Sequence, residues 1–183
     1  AYGQFRYCDF SSLNTVVNFV CCGGPNPPAN VDFCTSKLNN TALGGYTGAP
    51  AIINSSTFTN NVFGATQADK NFSGCTFVGN VYGIGPSVER TNVASCTFIN
   101  NTTALSGRGG TVEFCYVNNN VTGIFQSVEG WTLRHNDISG NPTGLVPQSS
   151  NGFIAPTECN DIYGNPLRDA EMQTNYTLSI PNN

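Results

Sequence analysis

Glu89, Arg108 and Glu129 each stand seven residues before Cys96, Cys115 and Asn136, three positions that fall at the same point of a recurring phrase. If that phrase repeats in space, the three side chains form one file, acid, base, acid. Its two carboxylates would then be about two strand spacings apart, roughly 9.6 Å. Carboxylates near that separation can act as the general acid and general base of an inverting glycosidase. Arg108 between them would hold both ionised, which suits an ion-pair ladder better than a general acid. Glu113 and Arg134 fall at equivalent outward positions and are expected to pair across strands. Trp131, Arg134, His135 and Asp137 could offer a glycan an aromatic platform with polar partners, although Trp131 sits near an inward apolar position and is expected in the core.

The elements that would position these residues are set by the phrase itself. It reads Ile53/Ser56/Phe58/Asn61, then Phe72/Cys75/Phe77/Asn80, Val93/Cys96/Phe98/Asn101, Val112/Cys115/Val117/Asn120, Leu133/Asn136/Ile138/Asn141 and Thr157/Asn160/Ile162/Asn165. A period near twenty residues is the signature of a solenoid, whose repeats bury their apolar faces only against neighbours. After the asparagine most repeats continue as Asn-x-x-Gly-apolar, through Gly64, Gly83, Gly123 and Gly144, with Ala104 in one. Asn and Gly accept left-handed backbone angles, so the phrase predicts strand, sharp turn, strand.

From about Ile53 to Asn165, and more weakly from Phe5 to Leu43, the repeat resembles the single-stranded right-handed parallel β-helix of pectate-lyase-like proteins. Phe58-Thr-Asn-Asn61, Phe77-Val-Gly-Asn80 and Phe98-Ile-Asn-Asn101 are similar to the Phe-x-x-Asn repeats of polymorphic outer-membrane proteins. The resemblance implies an all-β solenoid of about seven to eight rungs in a single domain, 1–183. Irregular rungs and a Cys/Pro/Gly loop would occupy 1–50, regular rungs 51–165, and a tail or cap 166–183. It does not extend to chemistry, because the clustered Asp, His and Arg phrases of polysaccharide-cleaving relatives are missing and fold alone does not fix function.

Stacked rungs turn repeat positions into columns. Asn61, Asn80, Asn101, Asn120, Asn141 and Asn165 should form an internal amide ladder that satisfies the polar groups the turn buries. Cys75, Cys96 and Cys115 share an inward position, joined by Cys34 and Cys8. Buried thiols can pack there as small hydrophobes, and adjacent rungs are also close enough for disulfides. Cys21, Cys22 and Cys159 lie outside the column, the vicinal pair next to Gly23-Gly24-Pro25-Asn26-Pro27-Pro28 and placed to staple that loop. One histidine and no CxxC pair give zinc nothing to hold it, and no cofactor is expected.

Eight cysteines with only seven Lys and Arg among 183 residues predict an oxidising, extracellular compartment. The chain begins at Ala1 and has no apolar run long enough for a leader or a membrane span, so a processed, non-inserted product is expected. A net charge of −4 without a basic patch excludes nucleic acid as a partner. Asn-x-Ser/Thr sequons fall at Asn39, Asn54, Asn71, Asn100, Asn101, Asn120 and Asn175. Asn101 and Asn120 belong to the inward ladder, whereas Asn39, Asn54, Asn71, Asn100 and Asn175 are expected outside, as glycan acceptors.

Both ends expose strand edges, which template association unless something covers them. At one end the rung from Phe5 to Phe10 has no helix before it. At the other, Tyr176-Thr-Leu178-Ser-Ile180 alternates as a lone strand. Phe5, Phe10, Tyr176, Leu178 and Ile180 are therefore the expected assembly residues, and a secreted, glycosylated structural protein forming a homo-oligomer, fibre, spike or coat is the expected function. The alternative is a small β-helix polysaccharide lyase, glycoside hydrolase or glycan-binding module.

Overall fold

The structure, a computed structural model, describes residues 4–18, 30–44, 51–66, 70–86, 89–126, 131–147 and 157–170. Thr, Val, Ile and Phe dominate its short strands, and inward and outward positions alternate as a pleated strand requires. Three strands make one repeat. β1 (Gln4–Arg6), β2 (Asp9–Ser11) and β3 (Thr15–Asn18) form the first triplet, and β4 (Asn30–Asp32), β5 (Thr35–Lys37) and β6 (Thr41–Gly44) the second. β7 (Ala51–Asn54), β8 (Thr57–Thr59) and β9 (Phe63–Ala65) follow, then β10 (Lys70–Ser73), β11 (Thr76–Val78) and β12 (Tyr82–Ile84). β13 (Glu89–Ala94) and β14 (Thr97–Ile99) lead into β15 (Thr103–Glu113), which ends one triplet and opens the next, completed by β16 (Tyr116–Asn118) and β17 (Thr122–Gln126). The last two triplets are β18 (Thr132–Arg134), β19 (Asp137–Ser139) and β20 (Thr143–Pro147), and β21 (Thr157–Glu158), β22 (Asp161–Tyr163) and β23 (Arg168–Ala170).

Every pairing is parallel, and like positions stack: Phe58 on Phe77, Phe77 on Phe98, Phe98 on Val117, Val117 on Ile138, Ile138 on Ile162. The fold is an all-β parallel solenoid. Its regular coil, β7 to β20, makes about five turns; the seven to eight expected counted the irregular triplets at the ends as well. The triplets at either end extend the same sheets, and segments 19–29, 45–50 and 148–156 between them lie outside the described residues.

Two of the three corners are built identically in every triplet. Each holds one residue in the left-handed region followed, except at exposed Leu13 in the first triplet, by an inward side chain: at the first corner Phe33, Gly74, Phe114 or His135, and at the second Asn60, Gly79, Asn100 or Asn119. The glycine of Asn-x-x-Gly has a different purpose from the one expected. Gly64 and Gly83 do not adopt positive φ; an added Cβ at either would lie 2.5 Å from the carbonyl oxygen of the next rung and about as close to the Phe77 or Phe98 ring. Close approach over the aromatic file selects glycine there. That file is tight, with Phe58–Phe77 and Phe77–Phe98 stacked at 4.8 and 4.7 Å and Phe72 edge-on to both Phe58 and Phe77.

The third corner is the variable one. β15 passes through it as an unbroken strand, bent at Gly109 (φ 64°) and Gly110 (φ 109°). Inside this corner Lys70, Thr91 and Trp131 are fully buried, and the Lys70 ammonium donates to the Thr66 carbonyl at 2.6 Å.

Candidate functional site

The second corner carries a continuous hydrogen-bonded spine. Asn101 shows its unit: its Oδ1 accepts from the backbone N–H of Asn80 at 2.9 Å and from Asn80 Nδ2 at 3.0 Å. Its own Nδ2 donates forward to Asn120 Oδ1 at 2.9 Å and back to the Phe77 carbonyl at 3.0 Å. Asn61, Asn80, Asn120 and Asn141 repeat this pattern, so amides that would be costly to bury are satisfied rung by rung. The expected ladder is present, and it is longer than expected. Asn39 belongs to it, 2% exposed and donating to Asn61 Oδ1 at 3.0 Å. The expectation that Asn39 points outward is corrected: Asn40 takes the exposed place, because the corner starts one residue earlier, at Leu38. The spine ends within the chain. Asp169 Oδ1 accepts from the N–H and Nδ2 of Asn165 at 3.1 and 2.9 Å, and Leu13 N–H donates to Asn39 Oδ1 at 2.7 Å.

The first corner carries the cysteine column, in mixed chemistry. Cys8, Cys34, Ser56, Cys75, Cys96, Cys115, Asn136 and Asn160 succeed one another on consecutive rungs. Each of several accepts from the backbone N–H of the rung before, as Cys96 Sγ does from Cys75 (3.3 Å), Ser56 Oγ from Cys34 (3.1 Å) and Asn136 Oδ1 from Cys115 (3.0 Å). All six described cysteines, 8, 34, 75, 96, 115 and 159, are free thiols. Of the two arrangements expected for the column, the free stack is the one present, and no disulfide joins the described cysteines. Each column thiol donates to a carbonyl two residues back, Cys96 to Ala94 at 3.2 Å and Cys115 to Glu113 at 3.3 Å, while Cys75 and Cys115 also reach the carbonyls of Ile53 and Val93 on the rung before, at 3.5 and 3.6 Å. Cys159 is exposed, Cys8 half-buried, and Cys21 and Cys22 lie outside the described residues. A hydrogen bond with Cys96, reinforced by burial, pushes the Cys75 thiol far up. Cys115 acts on Cys96 in the same way, raising it to about 12, while the bond from Cys96 lowers Cys115. Burial raises Cys34. Cys34, Cys75 and Cys96, raised in this way, are poor nucleophiles.

Outside, the strands carry charge in files. Glu89 and Arg108 are register partners, as stacking required, but Glu129 lies outside the described residues, so the acid, base, acid file is only partly in view. Glu113 registers with Arg134, and Arg134 pairs with Glu158 at 3.5 Å. Arg6–Asp32 (3.7 Å) and Lys37–Asp9 (3.6 Å) make comparable exposed pairs at the other end. Alternating partners of this kind form an ion-pair ladder along the outside of the coil. Trp131 is in the core, as its position implied, and leaves the expected platform without its indole. In its place the corner stacks Phe114 on His135, with ring centres 5.1 Å apart, and Tyr7 on Phe33 at 5.3 Å, both pairs exposed. Sequence reasoning missed these pairs, whose signal is aromatic residues one place before the cysteine column.

Of the other expected acceptor sites, Asn100 is exposed, Asn54 and Asn71 are half-buried, and Asn175 lies outside the described residues. Phe5 and Phe10 are half-buried at the first rung and meet edge to face at 6.1 Å, whereas Tyr176, Leu178 and Ile180 fall outside the described residues. Among the described residues no three His, Cys, Asp or Glu side chains are placed to hold a metal ion, and no helix is long and apolar enough to cross a membrane. Comparison with family models, curated proteins and solved structures finds no match to the chain.

Proposed function

We propose that this chain is a secreted structural rod that assembles end to end with copies of itself into a fibre, spike or coat. The observation that carries the reading is how the outer charge file would continue across a joint. At the last described rung it runs Glu113, Arg134, Glu158; at the first it runs Arg6, Asp32. Laid head to tail, the file keeps alternating, with Glu158 of one copy beside Arg6 of the next. The inner file continues too, Ile138 and Ile162 meeting Phe10. One column opposes the joint, since Asp161 would face Asp9. Strands β1 and β2 at one end, and β21 and β22 at the other, end their sheets among the described residues, so their free edges supply the main-chain bonding groups that a parallel neighbour needs, β21 meeting β1 and β22 meeting β2. A head-to-tail contact of this kind does not close on itself and yields filaments.

The similarity to pectate-lyase-like and polymorphic outer-membrane repeats contributes architecture to this reading and nothing about activity. Negative-stain microscopy and light scattering of the full chain test it. Wild-type protein is expected to form filaments whose length falls in Glu158→Arg and in Arg6→Glu, and recovers when the two substitutions are combined. A monodisperse monomer at high concentration would refute the reading.

A further inference from the structure

We infer that Asn100 is an N-glycan acceptor, the one that the described part of the fold leaves open, an inference that rests on the secretory placement proposed above. Seven sequons compete in the sequence, and the structure sorts six of them. Asn39, Asn101 and Asn120 are 2%, 1% and 0% exposed and hold the amide spine together. A glycan on any of them would remove a spine donor and force a sugar into the coil, so a chain modified there cannot reach this fold. Asn54 and Asn71 lie half-buried in β7 and β10 with their carboxamides engaged: Asn54 Nδ2 donates to Asp32 at 2.8 Å, and Asn71 Oδ1 accepts from Asn92 at 3.0 Å.

Asn100 differs on each count. It sits at the second corner with φ 57°, exposed, one residue before the spine, and its side chain makes no hydrogen bond among the described residues. Thr102, which completes its sequon, is exposed as well. Gly79 occupies the same corner position on the rung before, so no side chain from that rung crowds the first sugar. In the transfer, Asn100 Nδ2 attacks C1 of a lipid-linked oligosaccharide diphosphate. The N–C1 bond forms, the C1–O bond to the diphosphate breaks, and the amide proton leaves with the diphosphate. The adjoining corner exposes Val81 and Val121, 43% and 57%, on the rungs either side. A glycan rooted between them would cover that apolar strip and keep rods from packing side by side there.

The test is glycopeptide mass spectrometry of the full chain secreted from eukaryotic cells, with enzymatic deglycosylation in heavy-oxygen water to mark each former acceptor. The mark is expected on Asn100 and absent from Asn101. It should vanish in Thr102→Ala and in Asn100→Gly, which keeps the left-handed corner, and persist in Thr103→Val, which removes only the Asn101 sequon. A mark on Asn39, Asn101 or Asn120 in folded protein, or an unmarked Asn100, overturns the inference. Native protein that lacks the glycan while the secreted chain carries it on Asn100 would sink the secretory reading and leave the site standing.

Discussion

Replacing Asn101 with alanine cuts the spine at its centre. The substitution orphans two buried N–H groups of Asn80, the backbone one and one of the two on Nδ2, the other still donating to the Phe58 carbonyl, and strips the Phe77 carbonyl of its side-chain donor. Asn120 Oδ1 keeps the backbone N–H of residue 101, so damage on that side is smaller. Each stranded donor costs about 2 kcal/mol, giving about 4 kcal/mol in all. For a chain of this length that corresponds to a fall in Tm of roughly 12 °C, taking about 3 °C per kcal/mol. Asn119→Gly supplies the control: the same residue type on the same corner, exposed, at φ 55°, where glycine is at ease. It should shift Tm by no more than about 2 °C, since exposed substitutions stay within roughly 0.5 kcal/mol. Thermal unfolding followed by circular dichroism measures both. Equal, small shifts would show that the amides are replaceable by water and that the spine does not hold the coil.

The thiol column makes stability depend on alkaline pH. Cys96 titrates at about 12 in the fold against 9.0 ordinarily, so its contribution is intact below pH 9 and is lost as pH rises toward 12. Cys115, lowered, has the opposite sign, its contribution being present above its ordinary value and lost as pH falls through its folded pKa. Urea midpoints should therefore drop between neutral pH and about pH 11, and less steeply in Cys96→Ser, for which Ser56 is the precedent in the same column. A variant as steep as wild type would place the loss elsewhere. At the third corner, Gly110→Ala should abolish soluble, folded protein or cost about 4 kcal/mol, because its Cβ would collide with the Thr91 carbonyl at a φ of +109°. Wild-type stability in this variant would mean that β15 crosses the corner by another path.

The coil was legible because its constraint is repeated. One asparagine per rung is explicable only if each amide needs a partner above and below, and that requirement fixes period, register and inward face together. Asn39 escaped because it stands in an Asn39–Asn40 pair on a rung with irregular connections, where a shift of one residue leaves the local pattern equally good. The cap by Asp169 escaped for a related reason: it replaces an asparagine by a carboxylate from a later strand, and no periodicity points to it. The thiol column was placed correctly but its chemistry stayed open, since rung spacing suits a disulfide and a free stack alike. What separates them is that each Sγ keeps its proton and donates it in the direction of the carbonyl two residues back.

That direction bears on the compartment as well. Eight cysteines suggested an oxidising environment on the premise that they crosslink, yet Ser56, Asn136 and Asn160 occupy the same column as Cys75, Cys96 and Cys115. What the corner selects is a compact side chain able to accept a backbone N–H, and cysteine meets that need without pairing. The five cysteines of the column are thus a property of the corner and carry little weight for secretion. The proposal of an extracellular rod leans instead on the surface, with its files of Thr and Asn, a fully open sequon among the described residues at Asn100, and exposed charges that alternate along the axis up to the last described strand. Of these, the alternation demands the most from the partner. A rim that ends in Glu158 opposite one that begins with Arg6 favours a second copy of the same chain, and in one polarity, because turning the partner over would set like charges together.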